Sequence, residues 1–553
     1  MKRYLLSLTA LFVTLTIVAQ PSWVKKATKA VFTLKTFTAD GTLLASSTGF
    51  FVAADGVAVS SYAPFRGASR AVIIDAAGKE LPVVSMLGAN ETYDVAKFRV
   101  DVKKPQVLTL SVAQPGQQVW MLPYHEVRQV PQGVVRKAEQ FNGHYDYYTV
   151  AIVMPDNSVG APLLNDAGDV VGIMQQAMSS VDTLSYAVSA LYADSLRITG
   201  LSINDPALRA VNIKKALPAD YSQAQLTVYL AASQLDSASY AQLIDDFIAQ
   251  YPDEADGYIY RAQLATTGRH YDAADRDMAT AIDVAKQPDD AHYSYSRLIH
   301  QKLVTAPADD YAPWTFQLAQ QEAERAYAIN PLPVYRQQQA NVLFADKQYQ
   351  QACAIYEELT ATPLRSADLF VDAARCKVLM ADTLGQLAML DSAVATFSRP
   401  YLKEASPYIL ARAQAREAAG RHREAVVDFN DYEQLNKAQL NDYFYYIRYQ
   451  SELNGRLYQQ ALNDISQAVE LNPRNEFYYS EKASLEVRVG YYDQAIETAQ
   501  ACIRLMPDFS DGYLFLGVAQ CLKGQTAEGV KNLQRAHDLG DEQAADLIKK
   551  YAK

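Results

Sequence analysis

The sequence predicts two unlike domains, a β-barrel or sandwich of short strands followed by an all-α array of repeated helix pairs. Three observations predict it. Short β-branched and aromatic runs, punctuated by glycine turns, fill the chain from Ala30 to about Ile173. From near residue 190 to Lys553 the pattern becomes Ala-, Leu-, Tyr- and Gln-rich with helical periodicity. Near the C-terminus the sequence copies itself at a fixed spacing. A chain of 553 residues also exceeds what one ordinary core serves, so two or more domains are expected.

Taken in order, Lys2 and Arg3 precede an apolar run from Tyr4 to Ala19, and small Ala19 stands before Gln20. A charged start and a short apolar stretch predict a signal peptide over residues 1–20. The expected mature protein is exported, in the periplasm or at the outer surface of a bacterium. It has no transmembrane segment after cleavage and no cysteine near the cut to carry a lipid. A content of 49% hydrophobic and 20% charged residues is that of a globular protein. The net charge of -11, with no run of Lys and Arg, argues against a nucleic-acid partner.

The strand signals are Val31–Phe37, Phe50–Ala53, Val57–Ser60, Ala71–Ile74, Val119–Leu122, Tyr147–Val153 and Val170–Ile173, with hairpin turns at Asp40-Gly41 and Asp55-Gly56. Asn204-Asp205-Pro206 then offers a helix start, a capping side chain followed by proline in the first turn. The domain boundary is therefore placed near 200, with a β domain over 21–200 and a helical one over 201–553.

In the helical part, Tyr458, Ala461, Ala468, Leu471 and Pro473 recur as Tyr492, Ala495, Cys502, Leu505 and Pro507, each 34 residues on. Small residues let two helices approach closely, an aromatic fills the gap and proline ends the second helix. Weaker copies surround Tyr271, Tyr349 and His422, and about eight or nine repeats are expected. This pattern resembles the tetratricopeptide repeat, which implies a superhelical solenoid with a protein or peptide partner on its concave face.

The β part carries four motifs in one order: Gly49 to Phe65 (GFFVAADGVAVSSYAPF), Asp94 to Phe98 (DVAKF), Pro115 to Val119 (PGQQV), and Pro155 to Ile173. Together they resemble the trypsin-like serine proteases of the HtrA type, which implies a double β-barrel over residues 25 to 195. The resemblance assigns the triad base to position 63, the aspartate to Asp94 and the nucleophile to the turn before Pro162. Position 63 holds Ala63, and no histidine precedes His125, so nothing ahead of Asp94 supplies the base. His125 and His144 come too late in the chain for that role, and the Tyr62 phenol is a poor base near neutral pH. Alignment on Gly160-Ala161-Pro162 puts Val159 at the nucleophile position. Alignment on Pro155 to Ser158 puts Ser158 there; the first is preferred, because the strand into Leu163-Leu164 fixes the register. The glycine of the oxyanion hole is replaced by Asn157 or Asp156. No catalytic residue is expected to act, and the degenerate triad is Ala63, Asp94 and Val159. Tyr62 is a candidate donor to a buried Asp94, whose charge needs a partner. The competing expectation is an active serine endopeptidase with a divergent site built on Ser158.

Neither a cofactor nor a metal is expected, since no P-loop, dinucleotide fingerprint or His/Cys cluster occurs. Cys353, Cys376, Cys502 and Cys521 occupy small apolar helical positions; bridges within Cys353/Cys376 or Cys502/Cys521 and buried free thiols both stay open. The run Tyr443-Phe444-Tyr445-Tyr446 reads as helix packing or as an aromatic peptide groove. Asn90-Glu91-Thr92 fits a glycosylation triplet, a pattern that also arises by chance.

Overall fold

The computed structural model describes residues 20–124, 130–141, 143, 145–155, 158–176 and 184–552. The signal peptide, His125, His144, Asp156 and Asn157 lie outside the described residues. Two compact units occur, Met1–Val284 and Ala285–Lys553.

In the first unit two closed antiparallel barrels follow each other. The first comprises β1 (Val31–Phe37), β2 (Leu43–Phe51), β3 (Val57–Ser60), β4 (Arg70–Ile74), β5 (Glu80–Asn90) and β6 (Val95–Val100), in the order β1-β2-β3-β6-β5-β4. The second comprises β7 (Gln118–Met121), β8 (Gln132–Phe141), β9 (Tyr145–Val150), β10 (Pro162–Leu164), β11 (Val170–Met174) and β12 (Ser185–Ser189), in the order β10-β11-β12-β9-β8-β7. The double barrel implied by the motifs is the fold observed. The Asp55-Gly56 turn joins β2 to β3, with Gly56 at φ 84° and a Cβ there only 2.3 Å from the Val100 carbonyl oxygen, a position open only to glycine.

Each barrel fills its interior from alternate strand positions, and a further core lies between them. There Val31, Phe50, Val59 and Val95 of the first barrel pack with Leu164, Val170, Ile173 and Val188 of the second. This seam places β3 and the β5–β6 turn beside the turn before β10.

Strands end at Ser189, and Asp205 caps a helix as expected, its Oδ1 accepting from Ala207 N–H at 2.8 Å. That helix is one turn only, Pro206–Arg209. The chain then returns to the first barrel. Met86 N–H donates to Lys214 O at 2.8 Å and Ala216 N–H to Met86 O at 2.9 Å, so a short parallel stretch docks on β5. Two helix pairs, Tyr221–Gln250 and Ala255–Val284, complete the unit.

The second unit holds seven more helix pairs, from Asp289–Thr305 with Phe316–Ile329 to Ser510–Leu522 with Thr526–Asp538, and a last helix Glu542–Tyr551 among the described residues. The repeated small positions Ala461, Ala468, Ala495 and Cys502 are all fully buried, as their role in close packing requires. Turns within the pairs reuse one conformation, a left-handed residue at Lys347, Ala381, Gly420, Arg456, Gly490 and Gly524. Ion pairs recur too. Arg412 Nη2 lies 2.7 Å from Asp428 Oδ1, and Arg448 Nε 2.6 Å from Asp464 Oδ2, each joining the two helices of one pair. Arg261 and Asp277 repeat the arrangement in the first unit, at 2.7 Å.

Candidate active-site cleft

β3 ends at Ser60, and after Ser61 and Tyr62 the chain makes one tight turn, Ala63–Phe65. Pro64 supplies the fixed φ for that turn. The turn faces the β5–β6 connection, where Tyr62 N–H donates to Asp94 O at 3.2 Å and Ala63 N–H to Asp94 Oδ1 at 2.7 Å. Asp94 holds φ 49°, a left-handed conformation that aspartate tolerates better than most residues. Burial pushes its carboxyl above the usual range, opposed by the Ala63 and Tyr62 N–H groups and by the Arg66 charge. Position 63 and Asp94 thus meet as a base and its orienting carboxylate would, but residue 63 offers a methyl group.

The Tyr62 side chain does not partner Asp94. Its hydroxyl donates instead to Ala207 O at 3.0 Å, because the aromatic ring points into the first barrel's core and reaches the returning chain. The donor to Asp94 is main chain.

The turn before β10 docks on the first barrel. Thr48 N–H donates to Val159 O at 2.9 Å, Gly160 N–H to Met174 O at 2.8 Å, and Ala161 N–H to Ser158 O at 3.0 Å. Gly160 holds φ 81°, and a Cβ on it would sit 2.2 Å from Thr48 O and 3.1 Å from Ser61 N. The turn therefore lies beside the residue two places before Ala63, as the motif order implies. Val159 is half-buried. Ser158 is fully buried, and its Oγ has no hydrogen-bond partner among the described residues. Ser61 Oγ is likewise buried without one. A serine nucleophile needs a base within hydrogen-bond reach, and among the described residues Ser158 Oγ has none.

Tyrosines border the cleft, a feature the sequence reading did not single out. Tyr93, next to Asp94, stacks on Tyr192 with ring centroids 4.1 Å apart, and Tyr145 meets Tyr192 edge-on at 5.1 Å. Tyr147 stacks on Tyr186 at 6.0 Å and lies within electrostatic reach of Asp94. Burial, then Tyr186 and Asp94, push its phenol up, away from any use as a base. The alternation Tyr145-x-Tyr147 on β9, which sets both on one strand face, was the available signal.

Elsewhere the cysteine alternative resolves. All four cysteines are free and buried, and burial pushes the Cys376 and Cys502 thiols up to about 12. In the aromatic run Phe444 is buried and packs on Phe429 and Tyr432, while Tyr443 is 61% exposed. Asn90 Oδ1 accepts from Tyr93 N–H at 2.8 Å, shaping the β5–β6 turn.

Comparison with known proteins matches both halves. Residues 47–173 match the trypsin-like peptidase domain family. Small glutamine-rich tetratricopeptide repeat-containing protein 2 of Saccharomyces cerevisiae is 28% identical over 93 residues, 17% of this chain and 27% of that protein. TPR repeat-containing thioredoxin TDX of Arabidopsis thaliana is 30% identical over 94 residues, 17% of this chain and 25% of that protein. DnaJ homolog subfamily C member 7 of Homo sapiens is 29% identical over 87 residues, 16% of this chain and 18% of that protein. The chain thus spans about a quarter of the length of the curated relatives it matches. Among solved structures, the active form of the Rv3671c protease from M. tuberculosis matches 32% of this chain and 82% of its own, at 17% identity and a TM-score of 0.28. The architecture is a trypsin-like peptidase fold followed by tetratricopeptide-type repeats. Among the described residues no helix is long and apolar enough to cross a membrane.

Proposed function

We propose that this chain is an exported protein-binding scaffold of the bacterial envelope, in which a pseudoprotease domain is carried on tetratricopeptide repeats. The observation that carries the reading is the contact between residue 63 and Asp94. The main-chain N–H of Ala63 is 2.7 Å from the carboxylate, which supports reading residue 63 as the base position, filled by a side chain that cannot act as a base. Loss of one triad member alone typically costs factors of thousands in rate. Val159 at the preferred nucleophile position adds a second loss. The repeats supply the binding function, with a protein or peptide partner held on their concave face, and the charged start with its apolar run supports export.

The competing endopeptidase would need Ser158 exposed and bonded to a base, whereas its Oγ is buried and has no partner among the described residues. A fluorophosphonate probe on the purified protein decides between them. The scaffold reading expects no labelling and no casein cleavage above background. Labelling that disappears in Ser158→Ala would overturn it. Crosslinking in intact envelope, followed by purification through the repeats, would identify the partner.

A further inference from the structure

Five cations far apart in the sequence converge on one cavity of about 810 Å³ on the outside of the first barrel. Lys97 and Arg99 project from β6, Arg197 follows the last strand, and Lys214 and Lys215 lie on the stretch docked against β5. Asp246 is the one carboxylate in the lining. This is a concentrated positive site on a chain of net charge -11.

The cations are unevenly satisfied. Lys214 Nζ pairs with Asp246 at 2.7 Å, and Arg99 with Asp55 at 3.1 Å. Lys97 Nζ donates to Ala193 O at 3.0 Å, and Lys215 Nζ to Val211 O; both bonds go to main-chain carbonyls, not to carboxylates. Arg197 is exposed and makes no hydrogen bond or ion pair among the described residues. Burial pulls the Lys97 ammonium down, with Asp194 and Asp55 only partly offsetting it, and burial alone does the same to Lys215. Half-buried cations without a carboxylate partner leave charge that an incoming anion would neutralise.

We infer that this cleft binds an acidic peptide segment, with its carboxylates on Arg197, Lys215 and Lys97 and its apolar side chains on Leu217 and Pro218 between them. Charge complementarity selects an anion, and the apolar lining selects one with apolar groups. The volume lies in the range that encloses most of a small organic ligand and far exceeds a phosphate ion. No Phe, Tyr or Trp lines the cleft, so the bases of a nucleic acid have nothing to stack on. The site is separate from the chemistry at Asp94, and its failure leaves the scaffold reading untouched.

The test uses the full chain and two fluorescein-labelled, C-terminally amidated octapeptides, one alternating Glu and Leu and the other Gln and Leu, read by fluorescence anisotropy. The Glu peptide is expected to bind with a Kd of about 1–100 μM at low salt, about -5.5 to -8 kcal/mol, and to weaken about tenfold when salt screens the site. Arg197→Glu, on an exposed side chain, and Lys215→Gln are each expected to weaken it about tenfold, with unchanged circular dichroism. Equal binding of the Gln peptide, unchanged affinity in both variants, or absence of binding at about 1 mM peptide would overturn the inference. Citrate displacing the peptide at equal concentration would overturn the peptide assignment and leave a small-anion site.

Discussion

Glu452 lies inside the helix Asp442–Asn454 with 3% of its surface exposed, and its Oε2 has no hydrogen-bond partner among the described residues. Arg448 Nε is 4.0 Å from the other oxygen but is committed to Asp464 at 2.6 Å. Burial first, then the Asp464 charge, push the Glu452 carboxyl from the usual 4.5 to about 8. In the folded state this group takes up a proton that the unfolded chain has already released. Its stabilising contribution is therefore complete below about pH 4.5 and is lost as pH rises through about 8. At about 1.36 kcal/mol per pH unit the gap sets a ceiling of about 5 kcal/mol on the cost of ionising Glu452 above pH 8, less whatever Arg448 and local relaxation return. Glu452→Gln carries the neutral shape at every pH. Amide hydrogen exchange in the helices Asp442–Asn454 and Tyr458–Leu471 reads their local stability and is the suitable assay in a chain of two compact units. Wild type and variant should protect these amides equally at pH 5, and the variant should protect them better at pH 9, by about 2 kcal/mol or more. Equal protection at pH 9, or a weaker variant at both pH values, would refute the reasoning. It would mean that Glu452 is ionised in the fold and serves Arg448 as a counterion.

Three further outcomes are expected. Asp94→Asn keeps an acceptor for Ala63 N–H and suits the left-handed backbone, so calorimetry should find it within about 0.5 kcal/mol of wild type. Asp94→Ala orphans that donor and should cost about 1–3 kcal/mol. Arg448→Met strips Asp464 and Glu433 of their shared cation and should destabilise its repeat by about 3–5 kcal/mol by hydrogen exchange, with most of the loss recovered when Asp464→Leu is added. A thiol reagent at pH 7.5 (about one unit below an ordinary cysteine pKa) should label none of the four buried cysteines in the native protein and all four in denaturant.

How far the sequence could be read depended on whether each signal was local. Val31–Phe37 and Val57–Ser60 were readable to the residue, because apolar β-branched side chains lie between glycine turns. β8, Gln132–Phe141, was not, because among its described side chains Val135 alone is buried, which leaves no alternation. β12 escaped for another reason: Ser185 and Ser189 are buried polar residues that look like a loop, and Ser185 Oγ donates to Ile152 O inside the second barrel. In the cleft, Ala63 and Asp94 were legible from motif order, whereas the Tyr62 hydroxyl went to Ala207, a partner 145 positions away. The spacing of Arg412 to Asp428 and of Arg448 to Asp464 was present in the sequence as a signal of buried pairs within repeats. The cationic cleft was not, since its members run from Lys97 to Lys215 and converge only when the chain returns to β5.

The turn at Val159 and Gly160 bears on how such a chain keeps its ancestry visible. Thr48 reaches across to the Val159 carbonyl, and Gly160 fits against Thr48 where no side chain has room. These residues are joinery between two barrels. On the proposed reading they answer to assembly, so the side chains at positions 63 and 159 are free to vary while Gly160 is not. A protease signature of this kind persists as a seam persists in a garment recut for another use: it records how the pieces were joined, and a count of matching motif positions measures the stitching.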